Sequence, residues 1–188
     1  MKGERNAQVY QVGPHLFGTS STIPHWKTEE LIPSLKPFLL SLDTYKEKEL
    51  KIAFSLAIQP ESETQEEDHA KYRSLIEFEW ESATCRISVI PDTDSYLITI
   101  LAPNDPKEYT AYFFYGFTKG ILFLHATEAD AFVLNNILMM IYAFNTACSD
   151  TVLMHASVIK KDGKGYLFQG KSGTGKSCLL YTSPSPRD

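Results

Sequence analysis

The stretch Gly170-Lys171-Ser172-Gly173-Thr174-Gly175-Lys176-Ser177 spaces two glycines, a lysine and a serine as G-x-x-x-x-G-K-[ST]. Gly170, Gly173 and Gly175 permit backbone conformations closed to other residues, so successive N–H groups can turn inward onto phosphate oxygens. Lys176 would reach the β- and γ-phosphates of a nucleotide, and the Ser177 hydroxyl would join the shell of a Mg²⁺ ion. Chance places this pattern in well under roughly one in a hundred chains of this size, with glycine at about 7% of residues. An ordinary Gly/Ser turn is the competing reading. The expected ligand is ATP with Mg²⁺, held by backbone N–H groups and one ammonium.

Such a loop needs a strand to deliver it and a helix to follow. Val152 to Ile159 and Tyr166 to Phe168 read as two strands joined by Lys160 to Lys164. Asp162-Gly163 within that joint is a hairpin-turn signal. The second strand runs straight into Gly170. No long helix can follow, because Ser183-Pro184-Ser185-Pro186 comes next and each proline lacks an N–H and clashes with the preceding turn.

Met154 to Ser177, "MHASVIKKDGKGYLFQGKSGTGKS", resembles the opening of the catalytic domain of HPr kinase/phosphorylase and its relatives. That family has a His-containing strand, a short hairpin, a second strand and then a phosphate loop. The same loop core resembles that of ATP-dependent phosphoenolpyruvate carboxykinase. The resemblance implies that Gly170 to Ser177 is the ATP phosphate loop and that His155 lies near the transferred phosphate. Read from its residue type alone, His155 is an ordinary strand histidine. Phosphoryl transfer also needs acidic residues to hold Mg²⁺ and to orient the nucleophile. In that family both lie downstream of the loop. Cys178 to Asp188, "CLLYTSPSPRD", looks like the in-frame translation of a sequencing-library adapter. The expectation is therefore a native sequence that stops at Ser177, with weak ATP binding or none in the chain as it stands.

The rest of the chain must position this motif. Gln8 to Phe17 alternates weakly, as one strand. Trp26 to Leu42 contains Pro33 and Pro37, so any helix there is short or broken. Leu50 to Ile58 has Ile52, Phe54, Leu56 and Ile58 on one face, a strand period. Gln59 to Lys71 is polar and acidic, a solvated loop. Leu75–Trp80, Cys85–Ile90, Tyr96–Leu101 and Tyr109–Phe117 follow with turn signals between them, as in an antiparallel meander. From Thr127 to about Ala147 the period becomes helical, with Phe132/Val133, Ile137, Met140/Ile141 and Phe144 on one side. Thr127 with Asp130 three residues on reads as a loose capping box.

These elements predict an α+β protein. Residues 1–150 would form an N-terminal antiparallel β-meander with a covering helix, of unknown role. Residues 151–177 would be the opening β-hairpin and phosphate loop of an incomplete α/β kinase domain, and 178–188 the adapter-derived tail.

The 188 residues carry a net charge of −5, which argues against a general nucleic-acid binder because such proteins show a basic patch or stripe. Cys85, Cys148 and Cys178 are odd in number and lack C-x-x-C spacing, as isolated buried thiols of a reducing compartment do. No leader-like segment opens the chain. The apolar run Ala131 to Phe144 is interrupted by Asn135 and Asn136 and is too short to span a bilayer. A cytoplasmic protein without a membrane partner is expected. His15, His25, His69 and His125 show no partner pattern. Three functions are compatible with this reading: a kinase moving the ATP γ-phosphoryl to a serine hydroxyl on a protein or to a small molecule, a non-catalytic nucleotide-binding regulator, and a carboxykinase-like metabolic enzyme.

Overall fold

Alternating apolar residues build the larger part of this protein as a sheet. Its computed structural model describes residues 6–41, 51–63, 69–80, 83–154 and 156–170. The chain divides into two units, Met1–Thr151 and Val152–Asp188. In the first, the strands are β1 (Asn6–Val12), β2 (His15–Ser21), β3 (Leu39–Leu40), β4 (Ile52–Pro60), β5 (Arg73–Trp80), β6 (Ala83–Val89), β7 (Tyr96–Leu101), β8 (Glu108–Phe114) and β9 (Lys119–Leu124). They form one sheet in the order β3-β1-β2-β4-β9-β8-β7-β6-β5.

Strands β5 to β9 pair consecutively and antiparallel. Strands β1 and β2 form a second antiparallel hairpin, which turns at Gly13 with φ +56°. Strand β4 joins these two pieces and runs parallel to both β2 and β9. A parallel pair needs a crossover. Between β2 and β4 the described part of that crossover is the single turn α1 (Thr28–Leu31), a 3₁₀ segment Pro33–Phe38 and the short edge strand β3, which pairs with β1. Pro33 and Pro37 keep both helical elements short.

Helix α2 (Asp130–Thr146) follows β9 and packs on one face of the sheet. Val133, Leu134, Ile137, Leu138, Ile141 and Tyr142 form its buried stripe. They meet Phe54, Leu56 and Ile58 of β4 and Leu122 and Leu124 of β9 in one core. Full burial of each such side chain stabilises by about 1.5–3 kcal/mol. Tyr10, Phe17 and Phe54 stack in a row across β1, β2 and β4, with centroids 5.2 and 5.0 Å apart. Gly120 of β9 lies under the ring of its cross-strand partner Phe113, which leaves no room for a side chain there. On the other face Leu97, Tyr112 and Phe123 form a smaller cluster with Tyr72.

The expected fold class is overturned. The first unit is not a meander alone but a nine-stranded mixed sheet in which β4 runs parallel to β2 and β9. Nor is an α/β kinase arrangement present among the described residues. The second unit shows there only the hairpin β10 (Ser157–Lys161) and β11 (Lys164–Phe168), a two-stranded sheet of its own. The physical reason for the first error is β9, which sequence reading left unassigned. It supplies the second parallel partner of β4, and with it the single sheet.

The helix start also differs in detail. Thr127 is not the N-cap: α2 begins at Asp130, Ala129 stands at the cap position, and the Thr127 hydroxyl accepts the Ala129 N–H at 3.2 Å. Asp130 itself accepts hydrogen bonds from the Ala126 and His125 N–H groups at 3.1 and 3.3 Å. By length and composition alone, Asp130–Ser149 could cross a membrane. Its buried stripe is instead packed against the sheet, as in the core helix of a globular domain.

Candidate functional site

The turn of the β10–β11 hairpin is made by Asp162 with φ +51° and Gly163 with φ +74°, two left-handed residues in succession. This is the geometry that favours Asp-Gly, because its twist matches that of the flanking strands. Lys161 pairs with Lys164, and Ser157 with Phe168. Strand β11 therefore ends two residues before Gly170, which is exposed. Of the predicted phosphate loop, only Gly170 is among the described residues. Lys171, Ser172, Gly173, Thr174, Gly175, Lys176 and Ser177 lie outside them, and so does His155. The Mg²⁺ role expected of Ser177 lies outside them too. Among the described residues no group of three or more His, Cys, Asp or Glu is placed to hold a metal ion. Cys85 is buried and Cys148 exposed, both as free thiols, so the expectation of buried thiols fails at Cys148. Burial pushes the Cys85 thiol up to about 11.

The first unit holds three polar arrangements that sequence reading did not single out. The first lies at the carboxyl ends of β4 and β9, against the first turn of α2. The Tyr109 hydroxyl is 2.9 Å from Asp130 Oδ1, 2.6 Å from Thr127 Oγ1 and 3.1 Å from Asp105 Oδ2. The Thr127 hydroxyl is also 2.9 Å from Asp105 Oδ2. A phenol has one proton. Both carboxylates are served if Tyr109 donates to Asp130 and Thr127 donates to Asp105. Burial raises the Tyr109 pKa, and its hydrogen bonds to the two aspartates push it the same way. The N–H of Lys107 and the Thr127 hydroxyl hold Asp105 below its ordinary value. The His125 ring stacks on Tyr109 at 4.1 Å, with its Nδ1 buried and without a hydrogen bond. This cluster satisfies its own donors and acceptors almost completely. Its work is to pin the start of α2 to the end of β9.

A second network holds α1 against β1 and β2. Gln8 and the Tyr10 hydroxyl both donate to Glu29 Oε2. The Thr28 N–H donates to Gln8 Oε1 at 2.8 Å, and the Thr19 and Thr28 hydroxyls share a bond of 2.8 Å. Burial pushes Glu29 up, but its own backbone N–H, Gln8 and Tyr10 outweigh that and hold it low. Burial, and the Glu29 carboxylate after it, raise Tyr10. Here too the polar groups are engaged with one another.

The third arrangement is concave. It lies at the amino ends of β2, β4 and β9 and at the carboxyl end of α2, with a volume of about 640 Å³. His15, Lys51, Ser55, Thr118, Lys119 and Asn145 supply its polar lining. The His15 ring meets Tyr142 edge-on at 5.9 Å, and its Nε2 is 2.7 Å from Thr151 Oγ1. Asn145 donates through Nδ2 to the carbonyls of Phe117 and Ile141, at 3.1 and 2.9 Å. No spacing rule links residues so far apart in sequence. The only local hint was a lysine at the start of each of two apolar strands. Compared with protein-family models, curated proteins and solved structures, the chain has no significant match to any.

Proposed function

We propose that Gly170–Ser177 binds the phosphates of ATP and that the protein is an HPr-kinase-like phosphotransferase. In this reading Lys176 holds the β- and γ-phosphates and the Ser177 hydroxyl meets Mg²⁺. His155 would lie beside the transferred phosphate, as the resemblance implies. The acceptor would be a serine hydroxyl on a protein or a small molecule, in the cytoplasm. The observation that carries the proposal is the motif itself, set directly after a strand. Strand β11 leads to Gly170 through one intervening residue, Gln169, and the hairpin before it has the left-handed Asp162-Gly163 turn expected of the motif's context.

The test is a calorimetric titration of the chain and of its Lys176→Ala variant with ATP and Mg²⁺. Charge-assisted hydrogen bonds are worth about 1.5–3 kcal/mol each, so losing the ammonium should weaken binding by roughly tenfold or more. Measurable ATP binding that is unchanged in Lys176→Ala would overturn the assignment of the loop. A companion test reads the source DNA across the Ser177–Cys178 junction. A frame that continues into a helix and then acidic residues supports phosphoryl transfer over regulatory nucleotide binding. A frame that encodes Cys178 to Asp188 and then stops counts against transfer.

A further inference from the structure

We propose that the concave site at the amino ends of β2, β4 and β9 binds the phosphate or carboxylate group of a small molecule. The first ground is charge. The chain has 23 acidic side chains against 18 lysines and arginines, yet the described residues lining this site include Lys51, Lys119 and His15 and no carboxylate. Lys27 pairs with Glu30 at 3.2 Å, and Lys107 with Glu61 at 2.9 Å. Lys51 and Lys119 form no ion pair among the described residues. The Lys119 ammonium lies 5.6 Å from the centre of the Tyr115 ring, a weak contact that leaves its donors free.

The second ground is that these cations are not serving the end of α2. A helix carboxyl end attracts lysines to its orphan carbonyls. Of the last four carbonyls, that of Ala143 already accepts the Ala147 N–H. Neither Lys51 nor Lys119 hydrogen-bonds to any of them among the described residues.

The third ground is the held geometry of His15. Thr151 Oγ1 lies within hydrogen-bond distance of both the Ser149 carbonyl, at 3.1 Å, and His15 Nε2, at 2.7 Å. The His15 Nδ1 has no hydrogen-bond partner among the described residues. Edge-on packing against Tyr142, whose own hydroxyl donates to the Val12 carbonyl at 2.9 Å, fixes the ring. Two ammonium groups and a held imidazole thus border one cavity floored by Ile52, Ala53 and Phe54. Its volume lies in the range of small-molecule sites, about 300–1,000 Å³. A small anion with a short carbon skeleton matches cations at the rim and apolar side chains at the base.

The test uses inorganic phosphate and succinate as probes, each titrated into the ¹⁵N-labelled full chain at low salt. Amide shifts should saturate at Lys51, Ile52, Thr118 and Lys119. The Lys51→Gln/Lys119→Gln double variant should weaken that binding by about tenfold or more. Both side chains are exposed, so an unchanged melting curve is expected of the variant. Raised ionic strength should weaken binding in the parent. Preference for phosphate identifies a phosphorylated ligand, and preference for succinate a carboxylate. The Lys176→Ala variant separates this site from the phosphate loop: it should leave these shifts unchanged. The proposal is overturned if neither anion gives saturable shifts. It is also overturned if the double Gln variant binds as the parent does, or if the shifts map to Gly170–Ser177 and vanish with Lys176→Ala alone.

Discussion

Strands β4 and β9 in the first unit and β10 and β11 in the second are built from similar alternating residues. Phe54, Leu56, Ile58, Leu122 and Leu124 are buried beneath α2. Val158, Tyr166 and Leu167 of the hairpin are 57%, 47% and 50% exposed. Strand alternation makes a sheet face but does not cover it. In the first unit the covering element is a 17-residue helix that follows β9 in the chain. Among the described residues of the second unit no helix does the same. A lone two-stranded hairpin is marginal in water, whereas three or more strands packed on a helix are stable. The residues with the clearest chemical signature thus follow the most exposed strands, and the best-packed part of the molecule carries no motif.

Matched substitutions in the two units test that contrast. The largest difference is expected from truncating one apolar side chain in each. Ile137→Ala should destabilise the first unit by about 2–5 kcal/mol, through lost burial and a cavity. Leu167→Ala, at a half-exposed site, should cost well under about 1 kcal/mol. Amide hydrogen exchange of each unit in low urea measures both, and equal costs would break the comparison.

Glycine substitutions come next. A Cβ on Gly120 would sit 2.3 Å from Phe113 Cε1, inside contact distance. Gly120→Ala should therefore cost about 1–3 kcal/mol by overpacking. Gly165 of β11 has nothing within 4 Å of an added Cβ, and Gly165→Ala should be neutral or slightly stabilising. A comparable effect is expected of Asp130→Asn, which removes the charge that receives the Ala126, His125 and Tyr109 donors, at about 1–3 kcal/mol. Its melting temperature should fall while hydrogen exchange in β10 and β11 stays unchanged.

A pH series sharpens the same contrast. Burial raises Tyr10, Tyr109 and Tyr142 of the first unit above 10.0, and Cys85 from 9.0 to about 11. In the folded state these groups hold their protons more tightly than in the unfolded chain. The stability this supplies is complete below the unfolded values and is lost as pH rises through the folded ones. Denaturant stability of the first unit should thus decline from about pH 9 upward, starting with Cys85. A flat profile between pH 8 and 11 would contradict the burial of these groups. The smallest effect is expected of Lys176→Ala, which should leave the unfolding free energy within about 0.5 kcal/mol of the parent while altering ATP binding.

Much of this architecture could be read from the residues, and what could not has identifiable causes. The β4 stripe of Phe54, Leu56 and Ile58, the strand Tyr96–Leu101 and the Asp162-Gly163 turn follow from local periodicity and turn chemistry. Residues 8–17 read as one strand because Gly13 was the only left-handed residue in the turn that splits them. Strand β9 escaped for a related reason. The turn before it places Tyr115, Gly116 and Phe117 in succession at positive φ, and two of the three are aromatic. Aromatic residues signal strand, so the turn was absorbed into β8. The parallel pairing of β4 was beyond local reading because its partners lie on either side of it in sequence, at residues 16–21 and 119–124. As for the sites, the phosphate loop was legible because its residues are contiguous. The concave site was not, because four separate elements bring His15, Lys51, Lys119 and Asn145 together.

The position of β4 also sets an order of events during synthesis. Its β2 edge can be satisfied as soon as residue 60 has left the ribosome, but its β9 edge waits for residues 119–124. Contacts between segments so distant in sequence close slowly, because the intervening loop must first lose its freedom. The antiparallel meander can zip by neighbouring turns in the meantime. We expect β4 to be the last strand to gain its full set of backbone bonds. Pulse-labelled hydrogen exchange during refolding would then show the Ala57 and Gln59 amides, which face β9, protected after those of Ile98 and Ile100. Protection of β4 ahead of the meander would show that the nascent chain takes another route to the same sheet.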